Sequence, residues 1–260
     1  MNVTEEQERV RAGWTVAEVH LWCMLLLTFS TGMADVFGYL ALDKVFTGNM
    51  TGNVVILCMG LSGTTDLPVT GPLLALGAFM LGAALGGRAM RGRADAGSRQ
   101  VFALIGVVGL IFGAAAVVFA VDPPENGSAA AYGMTVALAA AMGLQAAVAR
   151  RIGVKDVTTV VVTSTITGLA ADSRLGAGGD QPWRRRAGAI ALIGAGATVG
   201  ALLLTVSAWL SVAVPAVITV SVAILGDLLV RRHADAPAQP EAPGRQPAGT
   251  SVTSTKQEVV

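Results

Sequence analysis

Charge is scarce in this chain. Asp, Glu, Lys and Arg make up 13% of its 260 residues, against ~25% in an ordinary soluble domain. The few charges nearly cancel, with Lys plus Arg at 18, Asp plus Glu at 17 and a net charge of +1. That total says nothing about nucleic acid, and no nucleic-acid partner is expected. Cysteine is almost absent. Cys23 and Cys58 both lie in apolar segments, and neither has a second Cys or a His at ligand spacing. A disulfide framework and a zinc site are therefore unsupported, and both residues read as small hydrophobes. The two histidines, His20 and His233, stand near the ends of apolar segments, and Ser164 has no histidine nearby in sequence. This argues against a metal hydrolase and against an intramembrane serine protease. No Gly-Lys-Ser/Thr phosphate loop occurs, so no ATP-driven pump domain is expected. The expectation is a protein that is not an enzyme and needs no cofactor.

What is present is apolar. Hydrophobic residues make up 53% of the chain, mean hydropathy is +0.63, and there are 32 glycines. Glycine at that level suits helices that approach closely in lipid. Eight apolar stretches lie at roughly 18–42, 45–62, 71–88, 101–121, 129–149, 157–171, 187–208 and 212–230. A span needs about 20 residues to cross a hydrocarbon core of about 30 Å. Six stretches qualify. The polar segment 1–17 holds three glutamates before Arg11 and does not read as a cleavable signal. Residues 231–260 turn rich in Pro, Ala, Gln, Ser and Thr, and read as a disordered tail.

The stretches at 45–62 and 157–171 are short, and each carries a polar run. The first is Thr47-Gly48-Asn49-Met50-Thr51-Gly52-Asn53. The second, about 115 residues later, spans Thr158 to Gly168 and contains Thr158, Thr159, Thr163, Thr165 and Thr167. In hydrocarbon such groups find no water, so this backbone is tolerated only inside protein or along a wet cavity. In the first stretch only Val54 to Leu61 is cleanly apolar, and a helix of that length covers about 12 Å.

Positive charge decides whether these two stretches cross, because cytoplasmic loops collect Arg and Lys. If all eight crossed, Arg88–Arg99 and Arg174–Arg186 would lie on opposite sides. If the two short stretches dip in and return, every basic residue from Arg9 to Arg232 except Lys44 falls on one side. The second arrangement satisfies the rule. It gives an all-α polytopic membrane protein with six full transmembrane helices, two short re-entrant segments and both termini cytoplasmic. Each half, about 18–121 and 129–230, then holds three spans and one re-entrant segment, so the halves are inverted-topology repeats. Thr47, Thr51 and Gly52 match Thr163, Thr167 and Gly168, and Gly82 and Gly86 match Gly196 and Gly200 in spacing.

Asp35, after Thr31 and Gly32 in the first span, is the sharpest candidate site residue. An ionisable side chain in a span is costly and marks a cavity, a pathway or a partner. It can bind a cation or proton, or cap a broken helix. Thr47, Asn49, Thr51 and Asn53 can line a solute site or cap a half-helix. Their counterparts Thr158, Thr159, Thr163 and Thr167 can do the same or bond back to their own helix. Gln145 is a buried amide that needs a partner, as solute contact or as glue between helices.

Two signatures resemble those of one family. Gly32-Met33-Ala34-Asp35-Val36, Val45-Phe46 and Met50-Thr51-Gly52-Asn53 form the first. Ala141-Met142-Gly143-Leu144-Gln145, Asp156-Val157-Thr158-Thr159 and Thr163 form the second. In order and spacing they resemble the YoaK family of small multi-pass bacterial membrane proteins, a domain of unknown function, over about residues 18–230. The resemblance implies a bacterial inner-membrane location and no particular activity. That family often has Asn after the Gln, where Ala146 stands here. The leading expectation is a transporter or channel for an unidentified small solute, embedded in the lipid bilayer, with glycine-rich faces that allow a homo-oligomer. The rival is a non-transporting membrane scaffold or stress-associated interaction protein.

Overall fold

The structure, a computed structural model, describes residues 15–92, 99–153, 162–179 and 181–234. All regular structure among them is helical. The helices are α1 (Val16–Ala41), α2 (Met50–Leu61), α3 (Thr70–Ala89), α4 (Arg99–Val121), α5 (Ala129–Ile152), α6 (Val162–Ala171), α7 (Trp183–Val206) and α8 (Ala208–Ala234). Six of them, α1, α3, α4, α5, α7 and α8, are long and apolar enough to cross a bilayer. The outer faces are apolar too: Leu26, Leu73, Met80, Leu110, Leu202 and Val217 are exposed. In water such faces would be costly; against lipid tails they are not. At ~1.5 Å per residue, α2 covers about 18 Å and cannot cross alone.

Local chemistry sets the helix ends. Thr15 caps α1 in a reciprocal pair with Glu18, which satisfies free amides at the helix start. Ser128 accepts from the Ala131 amide to start α5, and Gly153, at φ 66°, ends it in the left-handed conformation. Between α1 and α2 the chain reverses sharply through Asp43 and Lys44, both with positive φ.

The direction of each long helix follows from its partners. Val19 and Met24 of α1 cluster with Val148 and Ala149 of α5, whereas Phe37 clusters with Leu138, so α1 and α5 are antiparallel. Ala75 of α3 clusters with Ala139, and Gly86 lies against Leu144 and Ala147, so α3 and α5 are parallel. Ala189 of α7 joins Val19, and Leu204 joins Phe37, so α1 and α7 are parallel. Val230 of α8 joins Val19, and Val212 joins Phe37, so these helices are antiparallel. Gly226 lies against Phe102 and Gly109 against Val220, which sets α4 opposite to α8.

Helices α1, α4 and α7 therefore run one way, and α3, α5 and α8 the other. The end of the bundle at which α1 begins is here the near end. Because α1 and α3 are antiparallel, residues 42–69 leave and return at the far end. Because α5 and α7 are antiparallel, the connection carrying α6 leaves and returns at the near end. The two short helices thus belong to connections made at opposite ends of the bundle. Arg88, Arg91, Arg99, Arg150, Arg151, Arg174, Arg184–Arg186, Arg231 and Arg232 all attach to the near end; Lys44, Asp66, Asp122 and Glu125 attach to the far end.

Two helix crossings are built alike. In the α1–α7 crossing, a Cβ on Gly32 would strike the Ile193 carbonyl and the Ala197 nitrogen, and one on Gly196 would strike the Phe29 carbonyl. In the α5–α3 crossing, Gly143 stands so against the Phe79 carbonyl and the Ala83 nitrogen, and Gly82 against the Ala140 carbonyl. Gly200 meets Met33, and Gly86 meets Leu144. Each contact has its counterpart at a constant sequence offset within each helix pair. Only glycine lets backbones touch this closely.

The long helices begin and end within a few residues of the sequence-based limits. The difference lies in the first short segment, where residues 45–49 are not helical but form an extended limb. Asn49 then caps α2 by accepting from the Gly52 amide at 3.1 Å.

Candidate functional site

The limb of the first hairpin runs back along α1. Backbone atoms of Val45 and the side chain of Thr47 pack on Gly38. The limb turns at Gly48 and Asn49, where Asp35 holds it. Asp35 Oδ1 accepts from the Gly48 amide at 2.6 Å, the Asn49 amide at 3.2 Å and the Thr47 hydroxyl at 3.4 Å. These amides open α2, whose start carries a partial positive charge. A carboxylate there occupies the position that an anionic ligand would otherwise take. All three of these bonds are made to Oδ1.

Asn53 closes the same hairpin. Its Oδ1 accepts from the Phe46 amide at 2.9 Å, and its Nδ2 donates to the Phe46 carbonyl at 2.7 Å. One fully buried side chain thus satisfies both backbone groups of a residue in the extended limb. This brace sets the ring of Phe46 against Gly52 on one side and stacks it on Tyr39, with centroids 5.0 Å apart.

A cavity of about 650 Å³ is lined from both short helices and from two of the long ones. Asp35 and Tyr39 line it from α1, and Phe46, Gly48 and Asn49 from the limb. Thr51, Gly52, Val55 and Ile56 line it from α2, Val162 and Thr163 from α6, and Ile193 from α7. Its size suits a small organic ligand. Among the described residues, no group of three His, Cys, Asp or Glu side chains is placed to hold a metal ion.

Of the sequence candidates, the structure brings Asp35, Asn49, Thr51 and Thr163 to this wall. Thr47 and Asn53 lie behind it as supports of the hairpin. Thr167 bonds back to the Thr163 carbonyl at 2.9 Å, the self-satisfied arrangement of a helical threonine. Gln145 is buried between α5 and α1 and donates to the Thr31 hydroxyl at 3.1 Å; it does not line the cavity. Thr158 and Thr159 lie outside the described residues. Sequence reasoning passed over Tyr39, Phe46 and Ile193. Tyr39 had a signal, since it follows Asp35 by four residues and so shares its helix face.

The bundle, its apolar outer faces and the two short helices define a multi-pass, all-helical membrane protein. Residues 23–225 match the family described as "Protein of unknown function (DUF1275)", and the chain belongs to that family. A relative, the UPF0700 transmembrane protein YoaK of Bacillus subtilis (strain 168), is 27% identical over 162 residues, or 61% of this chain and 69% of the relative. No solved structure matches the chain.

Proposed function

We propose that this protein is a transporter or channel for a small solute, built from two inverted repeats of about residues 18–121 and 129–230, with its binding site between the two short helices. One observation carries the proposal: a single cavity is lined by Asn49 and Thr51 at one short helix, Thr163 of the other and Asp35 of a spanning helix. A cavity lined by half-length helices from opposite ends of a bundle is the recurring arrangement of carriers that open to each side in turn. The matched glycine crossings support the repeat, because they pair α1 with α5 and α3 with α7 position by position. By the same offset, Ala146 is the counterpart of Asp35, so the second half has no carboxylate at that position.

The arginines of the near end support a cytoplasmic position for that end, in the plasma membrane of a bacterium. The test uses the purified chain in vesicles. Single cysteines at Thr51 and Thr163, in a background lacking Cys23 and Cys58, should react with a membrane-impermeant thiol reagent. The vesicles should also carry at least one solute of a broad panel. Absence of both labelling and flux sinks the proposal and leaves the scaffold reading.

A further inference from the structure

We infer that the ligand of this cavity is a small organic cation, an ammonium group on a compact apolar body. Passage of the bound cation across the membrane rests on the transport reading; its binding does not. The backbone amides that would draw an anion to the start of α2 already serve a carboxylate: the Gly48 and Asn49 amides, with the Thr47 hydroxyl, bond Asp35 Oδ1. Oδ2 of the same carboxyl takes none of these three bonds and is offered to a cationic partner. Among the described residues, the Tyr39 phenol is the one other titratable side chain that lines the cavity. Arg186 stands on α7 at the near end, engaged with Asp172 at 2.6 Å and Gln181 at 3.0 Å, and is not part of the wall.

The surroundings of Asp35 narrow the class. A bare divalent ion needs several oxygen ligands at short range, and one carboxyl oxygen among neutral hydroxyls does not supply them. An ammonium group needs one carboxylate and a few acceptors, and the Thr51 and Thr163 hydroxyls can accept. Tyr39 and Phe46 stand stacked in the same wall; Phe46 has Gly52 against it as well, so Tyr39 is the ring left to attract a cation, more strongly when water is excluded. Val55, Ile56, Val162 and Ile193 also line the cavity, and their aliphatic side chains suit a hydrocarbon body. Among the described residues, Asp35 is the one carboxylate that lines the cavity, which fits a monocation.

Binding to the full chain in detergent, read by calorimetry, tests this. The probes are propylammonium, tetramethylammonium and 2-phenylethylammonium, each beside its neutral isostere (for 2-phenylethylammonium, 2-phenylethanol), with 3-phenylpropanoate as the anion. At least one cation should bind about tenfold or more tighter than its isostere, and the anion should bind no better than the neutral compound. Asp35→Asn keeps the Oδ1 acceptor and should abolish the cation preference. Tyr39→Leu, which leaves the Asp35 bonds in place, should weaken the cation several-fold and the alcohol little. Equal binding of cations and isosteres, no binding at all, or a preference that survives Asp35→Asn overturns the inference. Asp35-dependent cation binding without vesicle flux would refute transport and leave the ligand class standing. Flux of a neutral or anionic solute that ignores Asp35→Asn would do the reverse.

Discussion

The Oδ1 atom of Asp35 stands 2.6 Å from the amide nitrogen of Gly48, joining the last two turns of one spanning helix to the turn that opens a half-length one. Hydrogen bonds to a charged group are worth about 1.5–3 kcal/mol each, and a buried amide left unpaired costs about 1–3 kcal/mol. Asp35→Ala is therefore expected to destabilise the protein by about 3 kcal/mol, because two amides lose their acceptor. Asp35→Asn retains an acceptor oxygen and should cost about 1 kcal/mol. Thermal unfolding in detergent checks the order; equal losses in the two variants would show that the carboxyl oxygen does not hold the hairpin.

The two glycine crossings make a paired prediction. At Gly82 and at Gly196 an added methyl meets a backbone carbonyl on the neighbouring helix, Ala140 in one case and Phe29 in the other. Backbone cannot move aside as a flexible side chain can. Overpacking of this kind typically costs about 1–3 kcal/mol, so Gly82→Ala and Gly196→Ala should each lower stability by about 2 kcal/mol. Similar losses in the two variants are expected if the crossings are equivalent. A large loss at one and none at the other would break the proposed correspondence between the halves.

Much of this architecture was legible before any coordinates. The six long helices were visible because an apolar run of span length has few alternatives. The two short ones were visible because threonine and asparagine interrupt apolar segments, and the arginines place their loops at one end only if those segments turn back. The division of labour within Thr47–Asn53 was not legible. Asn49, Thr51 and Asn53 carry similar groups, yet Asn49 caps α2 and Asn53 binds both backbone groups of Phe46, while Thr51 lines the cavity. That outcome depends on where the extended limb ends and the helix begins, a boundary that composition does not mark. The aromatic wall was missed because Phe46 reaches the cavity only through the fold of the limb.

Asn53 is expected to be the most sensitive position of the first hairpin. It is fully buried, and both of its amide atoms engage Phe46. Asn53→Ala strands the Phe46 amide and carbonyl, at about 1–3 kcal/mol for each buried group. The expected loss is about 4 kcal/mol, with faster labelling of a cysteine placed at Thr51 as the limb loosens. If Asn53→Ala unfolds within a few tenths of a kcal/mol of the parent, the brace has no energetic role.

Gln145 should behave in the opposite way despite equal burial. Its Nε2 donates to Thr31, but its Oε1 has no hydrogen-bond partner among the described residues. The Thr31 hydroxyl keeps a bond to the Leu27 carbonyl at 2.8 Å whatever stands at 145. Hydrogen bonds between membrane helices average about 0.6 kcal/mol, whereas an unpaired buried acceptor costs about 1–3 kcal/mol. Gln145→Leu removes both, fills nearly the same volume and leaves no new unsatisfied group. It is therefore expected to be neutral, or to stabilise the protein by about 1 kcal/mol. Because Gln145 does not line the cavity, the same variant should bind ammonium probes like the parent. A fall of several kcal/mol in stability would mean that Oε1 has a partner after all, and a loss of probe binding with stability intact would extend the site to this helix.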